Sequence, residues 1–577
     1  MILRFVPGGK VGVPDWVRFE LLSDAESPWA FQPLINFKWR SYFGAYQVKL
    51  HASEDTKYCP WPLPRLPVSR RDAGEEGKLS RLDSWLRNCQ ETHETCQSYG
   101  GSKEGRDSLP KRVLDVSPPK GQLRLYEPHN EPHNEKSQYI CLSHRWGESQ
   151  PLSTTRENIE DLKRNIEWGA IPQLFKDAIT VARRLGVRYL WIDSLCIVQD
   201  DRQDWEEQAP LMCDIYSNAI LTIFATRCED CLDTLFPSFD RTIHGYDEKG
   251  NPLAVAVRIE CLHLDPEHSD YPLLTRAWVF QERLLSRGVV HFGYDELFWE
   301  CMDATSCECS EEIIRGPLEI KSIRYRDPYQ ATQKDYQRVW HEIVAQYTAL
   351  KLTYRSDRQP ALQGLATQMA NTRRGRYLAG LWEDSLITDL AWRRVASYGT
   401  REKGAHATGP SWSWASIDAQ CEQSSHWVDD DTSILEIQTP RPSIGEQVHI
   451  CLTLRGRLVS GVSNNNNTDT VVRARPEHKW FRRSFDLGEG ARAFFYPDVA
   501  REPFLPDGES IFCLALGFSA NETQTFETGL VLQCVDAKEQ LYERIGIADL
   551  ERTGQRKIVG IADRFFAAHK LVTVRLV

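Results

Sequence analysis

Nowhere in the 577 residues do about 18 apolar residues run together, as a membrane-spanning helix requires. The opening Met1-Ile-Leu-Arg-Phe-Val-Pro-Gly-Gly lacks an apolar segment leading to a small-residue cleavage site, so an intracellular, cytoplasmic protein without a membrane span is expected. Basic charge is also in short supply. Seventy Lys and Arg stand against 81 Asp and Glu, and a formal net charge of -11 gives no electrostatic case for binding nucleic acid. No P-loop, Gly-x-Ser-x-Gly, His-Glu-x-x-His or Gly-x-Gly-x-x-Gly motif occurs, which argues against NTPase, serine hydrolase, zinc protease and Rossmann dehydrogenase chemistry. No ankyrin, WD or tetratricopeptide period is present either. The 16 cysteines are scattered, often within apolar runs, and this suits reduced thiols rather than a disulfide framework; the sequons at Asn466 and Asn521 are then unused.

What is present is a long, globular composition, 41% hydrophobic and 26% charged, too large for one core. Five segments are expected: an N-terminal extension (1–65), a connector with a helix and hairpin (66–135), an α/β core (136–310), a helical Trp-rich region (311–440) and a β-rich module (441–577), barrel-like or a sandwich. The prolines between Cys59 and Pro67 mark the first connector. Leu82 to Cys96 reads as a helix with Cys89, His93 and Cys96 on one face. Three ligands fall short of a structural metal site, and the commoner reading is a packed face, so no metal is assigned. The stretches Arg112–Val116 and Leu123–Tyr126 read as a hairpin.

Apolar runs at Tyr139–Ser143, Tyr189–Ile192, Ala219–Ala225 and Gly288–Gly293 alternate with helical patterns at Thr155–Glu167, Pro172–Leu185 and Asp204–Tyr216, the last with Trp205, Met212 and Tyr216 inward. Alternation of this kind predicts a doubly wound, mostly parallel sheet. Ligands of such sheets lie beyond the carboxyl ends of the strands, which singles out Ser143, His144, Arg145 and Trp146, then Asp193 and Cys196, then Thr226 and Arg227. Asp193 is either a turn cap or functional. Cys196 with His144 could form a nucleophile and base, against the plainer reading of a buried, inert thiol. The pair Cys228 and Cys231, and the group Cys301, Cys307 and Cys309, read as loops. Tyr336–Leu350 and Ala361–Met369 read as helices, and the tryptophans at 382, 392, 412 and 414 as a packed core between domains.

Three blocks, Tyr139-Ile-Cys-Leu-Ser-His-Arg-Trp-Gly147, Arg188-Tyr-Leu-Trp-Ile-Asp-Ser-Leu-Cys-Ile-Val-Gln199 and Arg276-Ala-Trp-Val-Phe-Gln-Glu-Arg-Leu284, together resemble the fungal heterokaryon-incompatibility (HET) domain. Such domains look distantly similar to TIR domains, and the resemblance implies a TIR- or flavodoxin-like core. NAD-cleaving TIR domains carry a glutamate four residues after a tryptophan, as Trp278 and Glu282 stand here, although Val279 replaces the cysteine of that pattern. The resemblance implies an effector in nonself recognition and programmed cell death. NAD would be a substrate, with no cofactor required; Glu282 would serve as catalytic carboxylate, and Ser143, Arg145, Trp146, Gly147 and Trp278 would hold the dinucleotide. The chemistry is coherent, because an oxocarbenium-like state is stabilised by a nearby carboxylate. The expected partner is a protein carrying the incompatibility signal, and self-association is allowed. A non-enzymatic signalling module and a biosynthetic enzyme relying on Asp193, Cys196 and His144 are the alternatives.

Overall fold

The structure is a computed structural model that describes residues 74–99, 109–117, 123–128, 137–147, 152–237, 271–294, 296–308, 332–395, 408–423, 432–438, 450–462, 491–498, 510–520, 525–552, 566 and 569–577, and backbone strands between them. The Asn464–Asn467 run and most of the proline connector lie outside the described residues. The chain forms two compact units, one of residues 1–275 and 285–318, the other of 276–284 and 319–577.

The first unit begins with helices α1 (Gly74–Thr92) and α2 (Glu94–Ser98). Its sheet comprises β1 (Val113–Asp115), β2 (Arg124–Tyr126), β3 (Tyr139–Ser143), β4 (Tyr189–Ile192), β5 (Leu221–Phe224), β6 (Gly288–Phe292), β7 (Leu297–Cys301), β8 (Ala304–Cys307) and β9 (Ile314–Arg315). They lie in the order β9-β8-β7-β6-β5-β3-β4-β1-β2. Only the central run β6-β5-β3-β4 is parallel. Both flanks are antiparallel, so the sheet is mixed rather than mostly parallel. The reason is connection length: β6, β7 and β8 follow one another through turns of a few residues, which permit hairpins but no crossover. The central strands are fully buried, as their unbroken apolar runs require. The long interval after β5 holds a hairpin, Thr242–Tyr246 with Pro252–Ile259, whose second strand pairs with Val48–Ser53.

Helix α3 is short (Ile159–Arg164), and α4 (Gln173–Arg184) takes Pro172 at its N-cap, buries Leu174, Ala178 and Val181, and stops before Gly186 at φ 70°. After β4 comes one turn of helix, α5 (Asp193–Cys196). The helix expected over 204–216 is instead two, α6 (Arg202–Gln208) and α7 (Met212–Asn218), separated by a turn containing Pro210. Its register differs too: Tyr216 is buried but Trp205 is 43% exposed. Asp204 points inward in its place, to an ion pair with buried Arg112 and a 2.8 Å bond from Lys111.

The second unit contains α8 (Ala277–Leu285) except its last residue, α9 (Gln333–Thr348, opened by a Thr332–Asp335 capping box) and α10 (Pro360–Met369). The tryptophans at 340, 382, 392, 412 and 414, expected as a core between domains, are fully buried inside this one unit, with Trp340 edge-on to Trp382 at 5.7 Å. Beyond them run β10 (Cys451–Val462), β11 (Ala491–Pro497), β12 (Ser510–Ala520), β13 (Thr525–Asp536), β14 (Leu541–Arg552) and β15 (Leu571–Leu576). Pairings β12-β10, β10-β15, β15-β14, β14-β13 and β13-β12 close a five-stranded barrel, one of the two forms the strand pattern allows. Val459, Ile511, Val531, Ile545 and Phe566 share its core.

Candidate functional site at the strand ends

From β3 the chain passes to β4 on one side and returns to β5 on the other, so the switch point of the parallel run lies beyond the carboxyl ends of β3 and β5. The two strands end level, Ala225 N–H donating to Ser143 O at 3.1 Å. Ser143, His144, Ser194 and Thr226 are all buried there. Strand alternation sends consecutive side chains to opposite faces, and the His144 ring stands edge-on to Phe175 of α4, 5.1 Å between centroids.

Three sequence-predicted residues converge at this point. Trp146 Nε1 donates to Asp193 Oδ2 at 3.1 Å, and His144 Nδ1 lies 3.7 Å from Asp193 Oδ1. The same Oδ1 accepts the N–H of the next residue, Ser194, at 2.7 Å, so Asp193 both holds the backbone of its own turn and meets the crevice, its side chain 29% exposed. The hydroxyls of Ser143 and Ser194, 1% and 0% exposed, have no hydrogen-bond partner among the described residues. Arg145 is half-buried, and among the described residues its guanidinium makes no ion pair. Gly147 sits at φ 73°, and a Cβ there would come within 2.1 Å of the Asp230 Cβ, so the loop after β5 closes against the turn after β3 only because residue 147 is glycine.

Cys196 is held differently. Burial pushes its thiol up to about 12, which keeps it protonated at neutral pH and removes the thiolate a nucleophile needs. Its carbonyl accepts from Arg112 Nε at 2.8 Å. Cys228 and Cys231 are buried free thiols in the turn after β5, and burial raises Cys228 to about 12 as well.

Trp278 and Glu282 lie one turn apart on α8, in the second unit. Trp278 Nε1 donates to Asp357 Oδ2 at 3.0 Å, the neighbouring Gln281 Oε1 accepts Gly364 N–H at 2.8 Å, and Glu282 is 7% exposed.

One polar chain at the strand ends escaped the sequence reading. His291 of β6 places Nδ1 3.0 Å from Thr226 Oγ1 and Nε2 3.5 Å from Glu300 Oε2 of β7, all three residues buried. The available signal was a lone histidine and a lone glutamate, each inside an otherwise apolar strand.

The cysteine readings need correcting at two positions. Cys301 ends β7 and Cys307 ends β8, so these residues belong to a hairpin rather than a loop; Cys307 is disulfide-bonded, while the other described cysteines are free. Cys301 also joins Cys89, His93 and Cys96, the four ligand atoms lying within 4.8 Å of one another. Sequence distance hid this fourth group, because 208 positions separate Cys301 from His93.

Among the described residues no helix is long and apolar enough to cross a membrane. Neither the curated proteins nor the solved structures contain a match to the chain. The family described as "Heterokaryon incompatibility protein (HET)" does match, over residues 139–282, a span that opens on β3, includes the Trp146–Asp193 contact and ends on α8. This chain is therefore a HET-domain protein, with the domain at residues 139–282.

Proposed function

We propose that residues 139–282 act as the effector part of a heterokaryon-incompatibility response, triggered by a protein partner and leading to growth arrest or cell death, and that its chemistry is cleavage of NAD. The observation that carries the reading is the meeting of His144, Trp146 and Asp193 at the strand-end switch point, beside the unpartnered Ser143 and Ser194 hydroxyls. Buried hydroxyls without partners cost stability, and a polar ligand that supplies those partners offsets the cost. Arg145 offers a planar fork for a diphosphate, and Trp146 a face for a base.

In the reaction the C1′–N bond of the nicotinamide riboside breaks, nicotinamide leaves with the bonding electrons, water adds at C1′ and a proton is released. A carboxylate beside the ribose stabilises the positive charge that develops at C1′. Two carboxylates are candidates: Glu282, buried on the helix that closes the matched span, and Asp193, whose oxygens already lie at the strand ends. Purified full-length protein is incubated with NAD and free nicotinamide is followed by chromatography, alongside Glu282→Gln and Asp193→Asn. Loss of the essential carboxylate should lower release about 100-fold or more, as losing a transition-state charge partner does. Release equal in both variants and wild type, or absent from wild type with and without its activating partner, removes the enzymatic reading and leaves a module that signals by assembly.

A further inference from the structure

We infer that Cys89, His93, Cys96 and Cys301 form a closed, four-ligand zinc site that fastens the α1–α2 segment to the β7–β8 hairpin. The geometry begins with a break. Cys89 sits near the end of α1, and on an unbroken helix the seven residues to Cys96 would span about 10 Å of rise, too far to share one ion. The helix instead stops at Thr92. His93 takes φ -96° and ψ 102°, α2 starts at Glu94, and the chain turns so that the two sulfurs and the imidazole converge. Cys301 arrives from the end of β7, its Sγ 3.2 Å from His93 Nδ1.

Ligands around a tetrahedral zinc lie about 3.5–3.8 Å apart for Zn–S near 2.3 Å and Zn–N near 2.0 Å, and the four atoms here, all within 4.8 Å of one another, suit that size. Three sulfurs and one imidazole are a donor set of structural zinc, and thiolates select soft or borderline ions over magnesium or calcium. An iron–sulfur cluster would set its sulfur ligands farther apart, around two or more irons. A disulfide is not the occupant, since all three cysteines are free.

The two segments that bring the ligands together are also bonded to each other. Asp303 Oδ2 accepts the Thr95 N–H at 3.2 Å, tying the hairpin turn to α2 beside the ligands. With four protein ligands no position is left for water or substrate, so the site is structural rather than catalytic. Trp85 of α1 packs on Trp299 of β7 nearby, 6.4 Å between ring centroids, and the ion would reinforce that contact.

The test uses full-length protein purified without chelators. Metal analysis by plasma mass spectrometry should find about one zinc per chain. Cys301→Ser should reduce it to background, and Cys228→Ser, a buried cysteine outside the cluster, should leave it unchanged. Because a ligand variant can fail to fold, the wild-type protein is also stripped and titrated with cobalt(II), which should give thiolate-to-cobalt charge-transfer bands and the visible spectrum of a tetrahedral ion, abolished by added zinc. Metal well below one equivalent together with no cobalt spectrum in folded protein overturns the site. So does full zinc content in a folded Cys301→Ser variant.

Discussion

Two buried polar clusters, one in each unit, are built to opposite plans. In the second unit Arg544, 0% exposed, meets Asp498 through two bonds of 3.0 and 3.1 Å, donates to the carbonyls of Leu390 and Trp392 at 2.6 Å each, and lies 3.5 Å over the Trp392 ring. Its charge is matched and its donors are occupied, as a buried ion must be when nothing else will bind it. At the strand ends of the first unit the Ser143 and Ser194 hydroxyls have no partner among the described residues, and Asp193 remains partly open to solvent. A closed network holds a fold together; an open one at a switch point is left for a ligand.

Removing a partner from the closed cluster should have the largest effect. Asp498→Ala leaves the Arg544 charge buried without a counter-ion and should lower stability by about 3–5 kcal/mol in denaturant unfolding; a loss below about 1 kcal/mol would mean the cluster is not structural. In the first unit the Arg112–Asp204 pair follows the same rule, and Asp204→Ala should cost about 3 kcal/mol. Its pH dependence has a defined sign. Burial opposes ionisation of Asp204, but the bonds from Arg112, Lys111 and the Val198 N–H outweigh it and hold the carboxyl at about 2, below its ordinary 3.8. The folded state therefore binds this proton less readily than the unfolded one. The stabilisation is complete above about pH 4 and disappears as pH falls toward 2, which acid unfolding of wild type against Asp204→Asn would register as a steeper loss in wild type.

At the open cluster the effects on stability should be smaller. Gly147→Ala must strain φ 73° and push the Asp230 loop aside, for about 1–3 kcal/mol. Ser143→Ala, which removes a hydroxyl that no described group satisfies, should leave stability within about 0.5 kcal/mol or raise it. A loss of 2 kcal/mol there would show that the hydroxyl is part of a closed network after all.

Much of this architecture could be read from the residues. Unbroken apolar runs revealed β3, β4 and β5, Pro172 and Gly186 bracketed α4, and strand-end logic named His144, Trp146 and Asp193 before their contacts were known. The antiparallel flanks were not legible, because a short apolar strand looks the same whether a hairpin or a crossover leads to it. Apolar character alone points Trp205 inward, whereas the Arg112 and Lys111 charges turn Asp204 to that side. Long-range partners were out of reach altogether: Glu300 for His291, and Cys301 for the Cys89–Cys96 segment, are set by sheet order.

The most direct test of the strand-end site is calorimetric titration of NAD into wild-type protein and Arg145→Ala, with thermal unfolding of both as the control. Binding to wild type is expected, with a loss of tenfold or more in affinity for the variant, about 1.4 kcal/mol or above, and nearly equal melting temperatures, since Arg145 makes no ion pair among the described residues. Equal affinity of the two proteins for NAD, or no binding by either, would contradict it.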